Sequence, residues 1–311
     1  MTNLEKKKRK RWGKKFIDKR DWPVVNEQYV KRGEIWLDFD WVKGWDDELE
    51  MMNANKIGRP YQFPKSMIEF QAALYTRVGN YRGVKGVTRR LVELCELRKY
   101  NDFSTINRRV NALDYRLALP QSDHVVLYSD GSGFQAIEGG EYLREKYGKK
   151  NRKFIQIIIL GDAKTNEPVS FEVNIIQESE PESAQRQMEA LQKQGVIIDA
   201  FGGDGAFDKI ELWKWLEEQG IEPIIKTDEN ARDDGESAER NKNVKEKRRL
   251  GYKKWARRHK YGPRWPPTEG IFSAVKRIFG EQIHAKSEKG MLAQASCKIW
   301  MYQRLKRYGE A

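Results

Sequence analysis

Cysteine and histidine are scarce in this chain of 311 residues, with 2 of the first and 3 of the second. Cys95 and Cys297 are far apart and each falls within a helical pattern, so the spacing offers no zinc-type cluster. They read as reduced core residues of an intracellular protein. His124, His259 and His284 are scattered, and none is assigned to catalysis. Long apolar runs are missing too: none approaches the ~18 residues of a membrane span. The charged N-terminus lacks the apolar segment of a secretory signal. Acid is in deficit, with 46 Asp and Glu against 59 Lys and Arg, a net charge of +13. Such an excess points to a polyanionic partner, most often nucleic acid. Simple solvation and an acidic lipid surface are the alternatives.

Core material is present. Hydrophobic residues make up 39% of the chain and aromatics 11%, enough for one large domain or two ordinary ones. Residues 1–20 carry ten cations and two acids and read as a basic arm, either contacting phosphates or merely solvated. Residues 21–54, with Trp22, Trp36, Trp41 and Trp45, read as an extended or strand-bearing lead-in that packs on the core. Residues 55–120 turn helical, with apolar positions in register over 65–79 and 83–97. A short helix follows, with Ser104 as its expected cap and Arg108 and Arg109 on it. Two helices, a tight connection and a polar, basic third helix suit a helix-turn-helix reader of DNA. An ordinary helical bundle with a basic face fits the same pattern.

Residues 121–227 change character. Strands are expected over 124–134, 153–160 and 169–176 as an antiparallel meander. A helix to Gln194, a buried strand over 196–201, a helix over 206–219 and a strand over 221–226 follow. This order predicts an α/β fold: a mixed five-stranded sheet flanked by helices, with the first and fourth strands adjacent at its centre. Asp130 then falls at or near the end of the first strand, and Asp204 just past the end of the fourth. Each is also a good turn residue when taken singly.

The last segment supplies a third acid. In 268–280, Ile271, Val275 and Ile278 form one apolar helical stripe, with Thr268 as expected cap and Glu269 in the first turn. Asp130, Asp204 and Glu269 together would offer hard oxygen ligands to two Mg²⁺ or Mn²⁺ ions. Two such ions activate an attacking oxygen and stabilise the leaving one at phosphorus. Between the sheet and this helix lies a basic insertion, 228–264. Its residues 239–260 hold eleven cations against two acids, with Tyr252 and Trp255 interleaved. Lys247, Arg248, Arg249, Lys253, Lys254, Arg257 and Arg258 are expected to grip DNA, with Lys276 and Arg277 reaching phosphate from the Glu269 helix. Residues 265–311 end in a helix read as core packing.

These residues resemble the DDE transposases of bacterial and archaeal insertion sequences, over roughly residues 55–308. Tyr128-Ser129-Asp130-Gly131-Ser132-Gly133 is similar to that family's first-aspartate motif, and Gly203-Asp204-Gly205-Ala206-Phe207-Asp208 to its second. Gly58-Arg59-Pro60 and the segment from Ser104-Thr105 to Arg108-Arg109 also resemble the family. Tyr261, Arg264, Glu269 and Lys276 follow the order of its third motif. Glu269 and Lys276 keep the six intervening residues, but four rather than three separate Arg264 from Glu269. The resemblance implies a ribonuclease-H-like catalytic core preceded by an all-helical DNA-binding domain. It implies binding to terminal inverted repeats of double-stranded DNA, metal-dependent cleavage, and transfer into target DNA by a homodimer. Tyr261 and Arg264 would then contact DNA. A cytoplasmic, nucleoid-associated protein with no membrane contact is expected. The competing expectation is a domesticated, non-catalytic DNA-binding protein that keeps the fold.

Overall fold

A computed structural model describes residues 20–136 and 154–311. The basic arm expected over 1–20 lies, apart from Arg20, outside the described residues.

Six strands form one mixed sheet, in the order β3-β2-β1-β4-β5 with β6 paired to β1. β1 (His124–Ala136), β2 (Phe154–Asp162) and β3 (Pro168–Asn174) make the expected antiparallel meander. β4 (Ile197–Gly203) pairs parallel to β1, and β5 (Glu222–Ile225) parallel to β4. The sixth strand, β6 (Gln282–Ile283), has only two residues and pairs with the far end of β1. It is too short to leave an alternating pattern, which is why the sequence predicts five strands.

β2 is buried along all but its first residue because helices cover both faces of the sheet. One face packs α6 (Glu180–Gln192) and α7 (Ile210–Gln219) onto Leu127 and Leu160, through Met188, Leu212 and Trp213. The other packs α10 (Glu269–Phe279) and α11 (Glu288–Glu310) onto Phe134, Ile157 and Ile159, through Ile271, Val275, Met291 and Ile299. α11 also carries Cys297, Trp300 and Met301 into the core of the N-terminal helices, which include α3 (Lys65–Val78), α4 (Tyr81–Leu94) and α5 (Phe103–Val110). A helix that is buried on most sides serves two cores at once.

Residues 21–54 depart from expectation. They fold as α1 (Trp22–Glu34), two short 3-10 turns and α2 (Trp45–Asn53), not as strands. Pro23 stands at the start of α1, where its fixed φ suits a first turn. Asp46, Asp47 and Glu48 open α2, where the helix dipole favours acid. Glu48 also accepts from the Ser66 amide at 2.9 Å, so α2 holds the start of α3. The cap of α5 is Asp102, which accepts from the Ser104 amide at 3.0 Å, and not Ser104 itself. The basic insertion is helical as well: α8 (Ala238–Leu250) and α9 (Tyr252–Arg258).

Gly161 decides how the chain enters α10. A Cβ there would lie 1.8 Å from the backbone oxygen of Pro267, so the backbone itself would have to shift. Gly161→Ala is therefore expected to destabilise the fold by about 1–3 kcal/mol, the cost of overpacking a tight contact. Denaturant unfolding measures it, and an unchanged midpoint would show that the Pro266-Pro267 segment is not held by this contact.

Candidate active site

The parallel pairing of β1 with β4 aligns two acids. Its last matched pair is Tyr128 with Gly202. Asp130 and Asp204 each lie two residues beyond that pair, so they emerge side by side. β1 does not end there, contrary to expectation. It continues to Ala136, with Asp130 opposite Ile159 of β2. On its other flank, among the described residues, β1 has no strand neighbour between Tyr128 and Gln135, where β6 begins. The site opens at this split.

Asp130 is largely buried, and its carboxyl is pushed up to about 6. Burial is the main cause. The charges of Glu180 and Asp204 add to it, the Gly131 amide opposes it, and Glu269 contributes last. The Gly131 amide donates to Oδ1 of Asp130 at 2.9 Å. Asp204 keeps the turn role as well: its Oδ1 accepts from the Ala206 amide at 2.8 Å and caps a 3-10 turn.

Glu269 is the first residue of α10 and is exposed. Thr268 stands before it, but its hydroxyl donates to the Arg264 carbonyl at 2.6 Å and does not cap the helix. Arg264 reaches back, with Nη1 3.9 Å from Glu269 Oε1 and its guanidinium 4.9 Å above the Tyr261 ring. Tyr261 packs with Tyr128 and Trp255. Its phenol is pushed up to about 12, chiefly by burial, with Arg264 opposing and Asp204 and Glu269 reinforcing. That hydroxyl is buried without a hydrogen-bond partner.

Four carboxylates are therefore grouped by charge here: Glu180, Asp204 and Glu269 each act on Asp130, and Asp204 acts on Glu180. Glu180, the first residue of α6, is the one that sequence reasoning missed. It reads only as a helix start. The available signal was an acid in the first turn of the helix that follows the meander. Among the described residues no three acid, His or Cys side chains converge closely enough to hold a metal ion together. The four meet through charge, not through a shared ligand distance. As donors they suit a hard divalent cation: all are oxygens, three of them partly buried and that of Glu269 exposed, with one guanidinium as close compensation.

The expected DNA contacts divide into free and engaged groups. Arg249, Lys253, Lys254 and Arg257 are exposed on α8 and α9. Lys247, half-buried, and Arg248, exposed, are engaged instead. Lys247 donates to the Thr227 carbonyl, and Arg248 to that of Ala231 while pairing with Asp233 at 3.3 Å. They pin the loop that leads into α8, which a charge count along the sequence does not reveal. Arg258 pairs with Glu246 at 2.9 Å, and Lys276 with Glu281 at 3.0 Å. Arg277 is exposed. On α5, Arg108 is exposed, while Arg109 is half-buried, donates to the Phe63 carbonyl and lies over the Tyr61 ring. Both line a cleft of about 800 Å³ with Lys56, Arg59 and Tyr61.

With this geometry in view, comparison with known proteins gives the class. Residues 121–303 match the family described as Transposase DDE domain, and residues 30–138 match a second family of the same description. The first match alone covers more than half of the chain. The chain belongs to the DDE transposase family.

Among solved structures, it is similar to the Drosophila P element transposase in its strand transfer complex, at 14% identity and a TM-score of 0.32. That match covers 65% of this chain and 48% of the other. Similarity to the piggyBac transposase synaptic complex with hairpin DNA is 12% in identity, with a TM-score of 0.27, over 67% of this chain and 52% of the other. The Mos1 transposase of a pre-cleavage transpososome is 9% identical with a TM-score of 0.22, over 91% and 98%. The chain spans about half the length of the P element and piggyBac chains. No described helix is long and apolar enough to cross a membrane.

The raised carboxyl of Asp130 sets the sign of a pH effect. Its folded value, about 6, lies above the ordinary 3.8. The native state thus holds the proton more tightly than the unfolded chain. Its contribution to stability is present at low pH and is lost as pH rises through that window. With divalent cations chelated, Asp130→Asn is expected to flatten this loss and to melt above the wild type at neutral pH. Melts of both proteins across the window test it; a lower-melting Asp130→Asn would show that the carboxylate is held favourably.

Proposed function

We propose that the chain cuts DNA at transposon ends and joins the freed strands to target DNA. In this reading Asp130, Asp204 and Glu269 hold two divalent cations, Mg²⁺ or Mn²⁺. The observation that carries it is the register of β1 on β4, which leaves Asp130 and Asp204 equally far beyond the Tyr128–Gly202 pair. The Gly161–Pro267 contact brings the start of α10 over the Tyr128 face of the same sheet, because Gly161 pairs directly with Tyr128.

Bound divalent cations supply polarisation of the attacking oxygen and charge neutralisation at the leaving one. The chain's own residues do the rest. Asp130 enters from the open flank of β1, Asp204 from the 3-10 turn after β4, and Glu269 from α10. Their side chains must close in on the ions, and Glu269 has the exposure to do so. Arg264 offers a fork of donors to a phosphate beside Glu269. The buried Tyr261 hydroxyl offers one more donor. The attacking group is water or a DNA 3′-hydroxyl, so no covalent protein intermediate forms. Exposed Arg249, Lys253, Lys254 and Arg257 track the DNA backbone. Arg108 and its cleft face the terminal inverted repeat. Joining two ends in one event makes a homodimer the working assembly.

Asp130→Ala, Asp204→Ala and Glu269→Ala are each expected to lower cleavage and strand transfer by at least about 100-fold, the scale for losing one electrostatic contributor. Binding to an inverted-repeat duplex should stay near wild type. If affinity and cutting fell together, the acids would be structural; if cutting survived, the catalytic ions would be held elsewhere; if the wild type itself did not cut, the chain would be a DNA-binding protein. The α8–α9 surface has its own test. Changing Arg249, Lys253, Lys254 and Arg257 to Ala should reduce the slope of log affinity against log salt by about 0.9 for every phosphate that is no longer neutralised. An unchanged slope in anisotropy titrations would put the DNA elsewhere.

A further inference from the structure

We infer that Glu180 is a fourth carboxylate donor to this divalent-cation site, reaching it from the opposite face of the sheet to Glu269. The inference rests on the reading of Asp130, Asp204 and Glu269 as cation-binding acids.

The first observation is steric. A Cβ on Gly131 would lie 2.1 Å from Oε1 of Glu180 and 2.6 Å from its Cδ. The Glu180 carboxylate thus occupies the volume that any other residue at 131 would fill, one position after Asp130. Side chains alternate across a strand, so Gly131 and Asp130 face opposite sides of β1. Among the described residues no strand pairs with that flank of β1 between Tyr128 and Gln135, so this edge is open to groups from either face.

The second observation concerns partners. Glu172 and Glu178, close by in the chain, share Arg186 at 2.7 and 2.6 Å. Glu189 of the same helix accepts from Gln185 at 3.0 Å. No hydrogen bond or ion pair from a described residue reaches Glu180, although it lies beside other carboxylates. The dipole of α6 favours an acid at its first residue, but that role does not require the acid to press against β1.

The third observation is the Tyr261 hydroxyl, 3% exposed as a residue and without a partner, within the electrostatic reach of Asp204 and Glu269. A buried donor of this kind calls for an oxygen that the protein does not provide. Water held on a cation, or a phosphate oxygen beside it, supplies one.

The test is Mn²⁺ alone, titrated into the full chain and followed by the loss of the free-ion electron paramagnetic resonance signal. Glu180→Gln is expected to weaken binding by about 10- to 100-fold, the span seen when a group supporting a metal site is removed. Its chelator-treated melting temperature should hold or rise, since a like charge has gone. Mn²⁺ affinity within about two-fold of wild type, a fraction of a kcal/mol, would overturn the inference. Asp130→Asn separates the two readings. If it loses Mn²⁺ and Glu180→Gln does not, only the role of Glu180 falls; if neither loses it, the cation site itself falls. Should Glu180→Gln fail to fold, Glu180→Asp keeps the charge, pulls it back by one methylene, and must weaken Mn²⁺ binding to sustain the inference.

Discussion

β1 outlasts β4. After Tyr128 and Gly202 the central strand runs on, held by β2 on one side and, among the described residues, by no strand on the other until β6. Everything proposed for the site depends on that split. The meander side keeps the backbone of β1 rigid, while the open side leaves room for side chains from β1, from the turn after β4, and from helices on both faces. Ligand sites of open α/β sheets form where strands end and the chain departs. Here one strand ends while its neighbour continues, and the step between them is the crevice.

Four carboxylates at that step are a cost in the bare protein, which the burial of Asp130 makes larger. The chain as a whole carries +13, yet among the described residues the cation paired with one of these acids is Arg264, at 3.9 Å from Glu269. A negative pit inside a positive surface has two consequences. In the proposed reading it would draw a divalent cation out of bulk solvent, and it would leave the surrounding cations free to attract a polyanion across the same opening. A site that was already neutralised by Lys and Arg would do neither.

The sheet was legible from sequence because its signals are local. The β-branched run of β2, the turn chemistry after it, and the Gly-Asp-Gly end of β4 each state their role within a few residues. The strand order then followed from the β-β-β-α-β-α-β alternation. The alignment of Asp130 with Asp204 was only half legible: adjacency came from topology, but register came from packing. Glu180 was hidden because its meaning depends on Gly131, which is distant in sequence and silent by itself. The helices over 21–54 were hidden by Trp and acid, which suit many structures until α11 supplies a surface for α1. The carbonyl partners of Lys247 and Arg248 were hidden too, because a count of charges does not say what each side chain holds.

The basic helices are not an appendage. Asp208 and Arg240 form a pair at 2.7 Å, with 4% and 11% of their side chains exposed, and Trp213 donates to the same carboxylate at 3.0 Å. Removing one partner of such a pair costs about 3–5 kcal/mol, whereas the intact pair stabilises little beyond an apolar replacement. Its value is then geometric: it fixes α8 to the turn that carries Asp204, four residues before Asp208. Ser237, which caps α8, also donates to Glu217 of α7. In the proposed reading, a pull of DNA on α8 and α9 would be delivered to Asp204 and to Tyr261, which packs against Trp255 of α9 at 5.2 Å between ring centres. The surface proposed to grip the polyanion and the turn that presents the carboxylate are mechanically one piece, so in that reading where the DNA lies and where the acids point are not independent.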